Sequence, residues 1–335
     1  MNRAQTVSTA VGLRAVLPVA SVLLLVTGMA LAAGAALAQA FPSKAVHIIV
    51  PFPAGGSFDV TARILAQRMQ LGQSVVVENR PGGGTVIGTE YVARSSGDGH
   101  TILSIGPSFT MHTSLRSNLP FDPEKDFKAV GQAIGLPMVV AVNSSLPAKT
   151  IKDYIALARA RPGEISYGTS GAGTSHHMLG EALKLAANVN IVHAPYQGEG
   201  PAVTAAIGGH ITGVLVNLMA TAPFIKAGKL RALVVTTPDR DPIIPDVPTA
   251  REAGYPQIEA TNWNGYVVPA ATPASAIARL NAEIVRVLST PELRDSMRNQ
   301  GLIASPGTAE QFAELLKSDA ARYSRIAREA NVRLD

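Results

Sequence analysis

The residues of this sequence most suited to chemistry lie in a glycine turn that separates the β-branched run Ile48-Ile49-Val50 from a helical pattern. Such a turn presents unpaired backbone N–H groups and the positive end of a helix dipole, which together suit a small anion. Gly55 and Gly56 let a ligand approach the backbone, and Asp59 is placed to cap the helix predicted over residues 59–70. The same pattern also occurs in strand-to-helix connections that bind nothing.

A second turn repeats this geometry with hydroxyl side chains in place of Phe and Asp. It is the stretch Gly168-Thr169-Ser170-Gly171-Ala172-Gly173-Thr174-Ser175-His176. Two such helix N-termini facing one another would hold a carboxylate through N–H groups, hydroxyls and ordered water. A solvated glycine and serine turn is the alternative.

Two further turns, at residues 106–112 and 196–201, fit the same cleft, and Pro201 suits the first position of a helix. Plain connecting turns remain the alternative for both. None of the four turns contains Lys or Arg, so the sequence predicts no guanidinium clamp in them. Binding would therefore depend on backbone dipoles and neutral donors.

The sequence contains only incomplete versions of the common enzyme motifs. The spacing around Ser170 is not that of a nucleophile elbow, and Gly228-Lys229 is followed by Leu230, not by the Ser or Thr of a Walker motif. A secreted hydrolase that uses Ser170 or Ser175 with His176 stays open as an alternative, although no third group to orient the histidine is apparent. His177 and Glu181 would share a helix face with too few ligands for a metal, so neither a metal nor a cofactor is expected.

The composition is that of a globular protein long enough for two domains, with 335 residues, 47% of them hydrophobic and 5% aromatic. Cysteine is absent, which excludes disulfides, cysteine-built zinc sites and cysteine nucleophiles. The formal net charge of +5 falls to +3 when two arginines leave with the leader, which is too small an excess to indicate nucleic-acid binding.

The first 40 residues are predicted to be a secretory signal peptide. Arg3 and Arg14 are their only charges, an apolar run begins at Ala15, and Ala38-Gln39-Ala40 ends it as an A-x-A site. We expect export and cleavage after Ala40. A retained membrane anchor is the alternative, which the A-x-A ending disfavours.

Behind these turns the chain alternates strand and helix signals, which predicts an α/β fold with a parallel, doubly wound sheet. Apolar strands near residues 138–142 and 233–237 bracket a middle series of βα units. We therefore expect two lobes joined by two crossing segments, with lobe 1 from residues 41–140 and 234–335 and lobe 2 from residues 141–233. Ligands bind such sheets at the carboxyl ends of strands, so a cleft between the lobes would collect the four turns.

At these residues the sequence resembles the tripartite tricarboxylate transporter receptors, the TctC-like or Bug proteins. The matching segments span nearly the whole chain that follows the leader and keep their order, which makes the resemblance specific. They are Phe41-Pro42-Ser43-Lys44, residues 50–59, Val77-Glu78-Asn79-Arg80-Pro81-Gly82, Ile87-Gly88-Thr89-Glu90, residues 196–201, residues 228–233, Asp246-Val247-Pro248-Thr249 with Glu252 and Gly254, and Trp263 with Gly265.

The resemblance implies a periplasmic binding protein of type II, a Venus flytrap that captures a small organic carboxylate and presents it to membrane permease subunits. Docking on a membrane sensor kinase is an alternative, and a monomer with no nucleic-acid partner is expected. The family holds the carboxylate largely through main-chain groups and water, which carries over to Ala54, Gly55, Gly56, Asp59, Thr169, Ser170, Thr174 and Ser175, with His176 beside them. Candidates for recognising the distal end of the ligand are Phe52, Ser57, Phe58, Ser108, His112, Tyr196, Asn217 and Trp263. Thr212 stands where the family usually has Asp, which puts ligand assignments near that strand in doubt.

Overall fold

The computed structural model describes Met1, Gln5 and residues 41–334. The chain divides into two units, Met1–Ser43 and Lys44–Asp335. Most of the first unit, including the predicted cleavage site at Ala40, lies outside the described residues, so the signal peptide stays a prediction. The second unit holds all the described strands and helices. No helix in the described part of the chain is both long enough and apolar enough to cross a membrane.

The described strands form one sheet in the order β2-β1-β3-β9-β4-β7-β5-β6, with β8 and β10 also paired to β4. The strands are β1 (Val46–Val50), β2 (Val75–Asn79), β3 (Thr101–Ile105), β4 (Phe127–Asn143), β5 (Ser166–Thr169), β6 (Val192–Pro195), β7 (Gly213–Asn217), β8 (Leu230–Val235), β9 (Thr261–Pro269) and β10 (Ile303–Ala304). The α-helices are α1 (Ser57–Arg68), α2 (Val86–Ala93), α3 (Pro107–Leu115), α4 (Ile151–Ala160), α5 (Ser175–Ala187), α6 (Glu199–Ile207), α7 (Leu218–Lys226), α8 (Ala274–Leu288), α9 (Pro291–Asn299) and α10 (Ala309–Glu329).

Two parallel sets of three strands carry the predicted turns. In the first set β1 lies between β2 and β3, and Ile48, Ile49 and Val50 are at most 1% exposed, as expected of a strand covered on both faces. In the second set β5 lies between β6 and β7. Because parallel strands end at one edge, the turns after β5, β6 and β7 come together there.

The long strand β4 joins the two sets. Its first part pairs antiparallel with β9, and its second part, from Met138, pairs antiparallel with β7 and β8. The sheet is thus parallel within each set, as predicted, and antiparallel between them, which the sequence did not reveal. Two neighbouring parallel strands need a crossover connection, which is usually a helix. The segment that leads to β9, residues 236–260, has no α-helix in the described structure, which is consistent with the antiparallel pairing of β9.

The predicted crossing segments lie next to each other where the two sets meet. The Thr236 N–H donates to the Met138 carbonyl at 3.0 Å, and the Ala260 N–H donates to the Thr236 carbonyl at 2.9 Å. Helix α10 also links the sets, since Phe312 packs in the core around β3 and β9, whereas Tyr323 packs in the core around β5 and α4.

Three helix starts differ from the sequence prediction. Helix α1 begins at Ser57 with Gly56 as N-cap, so Asp59 lies in the first turn and does not cap the helix. Residues 106–112 are not a loop, because α3 begins at Pro107, a residue that fits the first helical position. Helix α6 begins at Glu199, which makes Pro201 its third residue.

Candidate ligand-binding site

The first turn leaves backbone donors available at the start of α1. Residues 53–56 are exposed, and Gly55 has φ +85°, a left-handed conformation that glycine adopts without strain. The N–H groups of Gly56, Ser57 and Phe58 have no acceptor among the described residues. Three free donors at a helix N-terminus are suited to a carboxylate.

Asp59 holds this turn and is not itself open to a ligand. Its carboxylate is 3% exposed and accepts hydrogen bonds from Gly55 N at 2.9 Å, Asn79 Nδ2 at 3.0 Å and Arg63 Nε at 3.0 Å. Although burial opposes ionisation, the bonds from Arg63, Gly55 and Asn79 keep the pKa of Asp59 below its usual value. The carry-over of Asp59 as a ligand contact is therefore replaced by a role in fixing the loop, and the charge of Arg63 is already paired.

The second turn has the same backbone plan with neutral side chains. Gly173 has φ +72°, Thr174 caps α5 by accepting from His177 N at 3.3 Å, and the Gly173 N–H donates to His177 Nδ1 at 3.3 Å. The N–H groups of Ser175 and His176 have no acceptor among the described residues. They are the counterparts of the free donors at α1.

A chain of polar side chains backs the second turn. Ser170 Oγ lies 2.7 Å from His176 Nδ1, His176 Nε2 lies 3.2 Å from Asn217 Oδ1, and Asn217 Nδ2 donates to Glu199 Oε1 at 2.7 Å. Asn262 Nδ2 also donates to Asn217 Oδ1, at 3.1 Å. Since an amide oxygen only accepts, His176 carries its proton on Nε2, and Ser170 donates to Nδ1. Burial lowers the pKa of His176 to about 4 and raises that of Glu199 to about 7.

Thr169 supports the turn from beneath. It is fully buried, and its hydroxyl lies 2.7 Å from His193 Nε2 and 3.2 Å from the Gly171 N that donates to it. The His193 ring stacks on His177 with centroids 4.0 Å apart. Thr169 therefore fixes the glycine backbone instead of offering its hydroxyl to a ligand, as the resemblance had implied.

The two turns approach a common point at the start of β9. The Phe52 and Phe58 rings stack at 4.3 Å, and a Cβ placed on Gly106 would lie 2.6 Å from Phe58 and 3.2 Å from the Trp263 carbonyl oxygen. The preceding residue, Asn262, is the one bonded to Asn217 in the second turn's network. Of two consecutive residues of β9, Asn262 thus bonds to the second turn's network and Trp263 lies next to Gly106, which also lies next to Phe58.

Tyr196 and Ser108 lie beside these clusters. Tyr196 borders the second turn, because a Cβ on Gly168 would lie 3.3 Å from its ring and its N–H donates to the Thr169 carbonyl at 3.2 Å. Ser108 is half-buried in the first turn of α3, two residues after Gly106, which lies next to Phe58.

Trp263 and His112, two predicted specificity residues, belong to the interior. Trp263 is 2% exposed, packs edge-on against Phe312 and donates its indole N–H to Asp319. His112 is 3% exposed, and its Nε2 lies 2.9 Å from the hydroxyl of Thr85. Their side chains are committed to the core, so we correct both assignments.

Thr212, the departure from the family pattern, lies away from the turns. Its hydroxyl donates to the Ser166 carbonyl and accepts from Ser166 N at 2.9 Å, at the amino end of β5. Ser170 follows the carboxyl end of that strand. The threonine therefore pairs strands and leaves the candidate site unchanged.

Comparison with known proteins decides the family. The family model described as "Tripartite tricarboxylate transporter family receptor" matches residues 61–332. The chain belongs to this family of receptors. BugT of Bordetella pertussis is 35% identical over 301 residues, covering 89% of this chain and 92% of BugT.

Solved structures agree with this receptor family in fold. A structure of a periplasmic transporter is 40% identical and superimposes with a TM-score of 0.82, covering 88% of this chain and all of that one. R. palustris Rpa4515, solved with adipate, is 31% identical with a TM-score of 0.82, covering 88% and 99% of the two chains. The predicted α/β binding-protein fold and the Bug/TctC resemblance are thereby confirmed.

Several residues of this receptor's candidate site were missed from the sequence. Glu199 was quoted in its turn but given no role, and nothing local marks Asn262, because its contact with Asn217 is 45 positions distant. His193 likewise becomes relevant only when β6 pairs with β5. In the described part of the chain, no three His, Asp or Glu side chains converge as metal ligands.

Proposed function

We propose that this chain is an exported receptor that captures a small organic carboxylate between its two glycine turns for a tripartite tricarboxylate-type transporter. Support comes chiefly from the contacts at the start of β9, where Asn262 touches the network of one turn and the Trp263 carbonyl lies beside the other. Both turns end in free N–H donors at helix N-termini, which suit a carboxylate.

The proposed contacts are the donors that no protein group uses. In the first turn these are the backbone of Ala54 and the N–H groups of Gly56, Ser57 and Phe58, while Gly55 shapes the turn. In the second turn they are the N–H groups of Ser175 and His176. The half-buried hydroxyls of Ser170 and Thr174, which donate to His176 Nδ1 and to the Gly171 carbonyl, would contact the ligand through their oxygens by way of water. Phe52, Phe58, Ser108 and Tyr196 would line the remaining space.

Closure would occur where β4 and the segment 236–260 pass between the two strand sets. We propose residues 41–140 and 234–335 as lobe 1 and residues 141–233 as lobe 2. At the junction, the backbone and the hydroxyl of Thr236 bond to Met138 and Ala260, and we propose that small dihedral changes on either side of this point move one set against the other. The closed monomer would then dock on permease subunits.

A hydrolase is the second candidate, because the structure supplies the third group that the sequence lacked. Ser170, His176 and Asn217 form a hydrogen-bonded series. Two features oppose catalysis: the imidazole with a pKa of about 4 is a weak base at neutral pH, and the amide cannot stabilise an imidazolium as a carboxylate does. We propose that the series only orients the turn.

Calorimetric titration of the processed protein with mono- and dicarboxylates tests the proposal. We expect saturable binding near micromolar Kd for at least one acid, with no ester or amide turnover. Turnover lost in a Ser170→Ala variant would favour the hydrolase instead. Absence of binding by any carboxylate, in a protein that melts cooperatively, would refute the receptor proposal.

A further inference from the structure

Glu199 is a half-buried carboxylate at the centre of the second turn's network. It is the first residue of α6, and its side chain is 23% exposed. Oε1 accepts from Asn217 Nδ2 at 2.7 Å, whereas Oε2 has no hydrogen-bond partner among the described residues. One oxygen is therefore fixed in place and the other is available.

Among the described residues, no lysine or arginine lies within ion-pair distance of this carboxylate. By contrast, three buried acids, Asp59, Glu181 and Glu283, lie beside Arg63, Lys184, and the pair Arg279 and Arg286. For Glu199 the described salt bridges offer only His176, whose Nε2 is 3.9 Å away. That imidazole is neutral at neutral pH, because burial lowers its pKa.

In the described structure, the elements packed against α6 place no other charged group in ion-pair contact with Glu199. They are β4, β5, β7 and α7. Tyr167 of β5 gives its hydroxyl to Glu181, Lys128 of β4 reaches the Thr272 carbonyl, and no ion pair links Lys226 of α7 to Glu199 in the described residues. Within the described structure, the hydrogen bond from Asn217 and the peptide dipoles at the start of α6 are what favour the ionised carboxylate.

We propose that Glu199 binds an ammonium group of the ligand, so that the guest is a carboxylate that also carries an amine. This inference rests on the proposed receptor function and narrows its ligand class. The ligand carboxylate would occupy the free N–H groups of the turns, and its ammonium would donate to Oε2 of Glu199. Burial raises the pKa of Glu199 to about 7 in the empty site, and an adjacent ammonium would restore the ionised form.

Matched acids that differ only by an amine test this assignment by titration calorimetry at pH 8. The pairs are aspartate and succinate, glutamate and glutarate, and 2-aminoadipate and adipate. We expect the amino member of at least one pair to bind about tenfold to a hundredfold more tightly, the range for a charge-assisted hydrogen bond. Glu199→Gln, which keeps an acceptor for Asn217, should reduce that ratio to about two.

The control variant is Glu164→Gln, an exposed residue before the amino end of β5 that should leave the ratio unchanged. The amine preference should also weaken when the pH falls below 7, because Glu199 then takes up a proton. A second measurement needs no ligand: Glu199→Gln should raise Tm by about 3 °C at pH 8 and have no effect at pH 4.5.

Equal binding of the amino and plain acids, or a preference that survives Glu199→Gln, would overturn the ammonium assignment while the receptor function stands. An unchanged Tm at pH 8 would show that Glu199 carries no uncompensated charge and would also count against it. If no acid of either kind binds, the receptor proposal itself fails, and this inference fails with it.

Discussion

The two glycine turns share one backbone plan but are stabilised by different chemistry. In each, a left-handed glycine precedes the helix N-cap, and the third helical residue reaches back to that glycine's N–H. In the first turn this residue is Asp59, an ionised carboxylate paired with Arg63. In the second it is His177, an imidazole stacked on His193.

The comparison shows that the same backbone N–H donors can be presented to a ligand whichever side chain, Asp59 or His177, stabilises the turn behind them. The Gly55 N–H of the first turn donates to a carboxylate paired with Arg63, and the Gly173 N–H of the second donates to an imidazole, yet in both turns the N–H groups of the first two helical residues have no acceptor among the described residues. A site that binds an anion through peptide dipoles can thus place a carboxylate such as Asp59 close by, provided that carboxylate is already paired.

The largest expected effect comes from blocking one turn without disturbing the other. A Cβ on Gly56 would meet only the Pro53 carbonyl oxygen, at 3.8 Å, and its φ is −78°, so Gly56→Leu should fold normally. Its side chain would occupy the approach to the free N–H groups. We expect carboxylate affinity to fall by at least about a hundredfold in calorimetry, equivalent to about 2.7 kcal/mol. Retained affinity at unchanged Tm would remove the first turn from the site.

We expect the second turn to lose stability at a higher pH than the first when the protein is acidified. Burial lowers the pKa of His176 and His193 to about 4. Between pH 6.5 and 4 the unfolded state therefore binds more protons than the folded state, and the free energy of unfolding decreases as the pH is lowered. Each imidazole contributes a loss of at most about 3 kcal/mol. Asp59, whose pKa is lowered, keeps its contribution until the pH falls below 3.8.

Amide hydrogen exchange measured across pH 7 to 4 checks this order. We expect protection at Gly173 and His177 to be lost before protection at Gly55 and Val60. Simultaneous loss at both turns would mean that acid acts on the whole molecule, and the proposed difference between the turns would be wrong.

Removing the third helical residue of each turn sharpens the comparison. Asp59→Asn loses charge-assisted hydrogen bonds and should lower the free energy of unfolding by about 2 kcal/mol. His177→Asn loses the neutral bond from Gly173 N, the stacking on His193 and the 3.6 Å contact with the Glu181 carboxylate, and should cost about 1 kcal/mol. High salt should reduce only the first difference, because it screens the pair with Arg63. Urea denaturation at two salt concentrations measures both. If both variants lose the same free energy of unfolding with the same salt dependence, the claim that an ionic pair stabilises the first turn and not the second would be contradicted.

The smallest effect concerns the cap of the second turn. Thr174→Ala removes the hydroxyl that accepts from His177 N and should cost about 1 kcal/mol, with a severalfold loss of carboxylate affinity. Thr308→Ala is the matched control, since Thr308 caps α10 in the same way outside the two turns. It should cost a similar amount of stability and leave affinity unchanged. An affinity loss in the control as well would assign the effect to general destabilisation.

Sequence reasoning reached the fold class and the turns because both depend on local patterns. Glycine-rich turns that precede helix signals mark the ends of β1 and β5, and alternating strand and helix signals mark the parallel sets. A strand was predicted over residues 265–269, but its antiparallel pairing as β9 and the role of the Asn262 side chain were missed, since both depend on contacts far apart in the chain. Asp59 was noticed for capping, but only the folded structure showed Arg63 and Asn79 around it.

The burial of Trp263 and His112 was equally inaccessible to pattern reasoning. An aromatic residue beside a predicted site suits either a pocket wall or a core, and the sequence does not distinguish them. Trp263 belongs to the core, because its ring packs against Phe312 and its indole N–H donates to Asp319.

A crystal structure with a bound carboxylate tests the central claim most directly. We predict that the carboxylate oxygens lie about 3 Å from the free backbone nitrogens of the two turns, directly or through one water, with Arg63 still on Asp59. A guanidinium or lysine ammonium group gripping the carboxylate, or a ligand bound away from either turn, would contradict it.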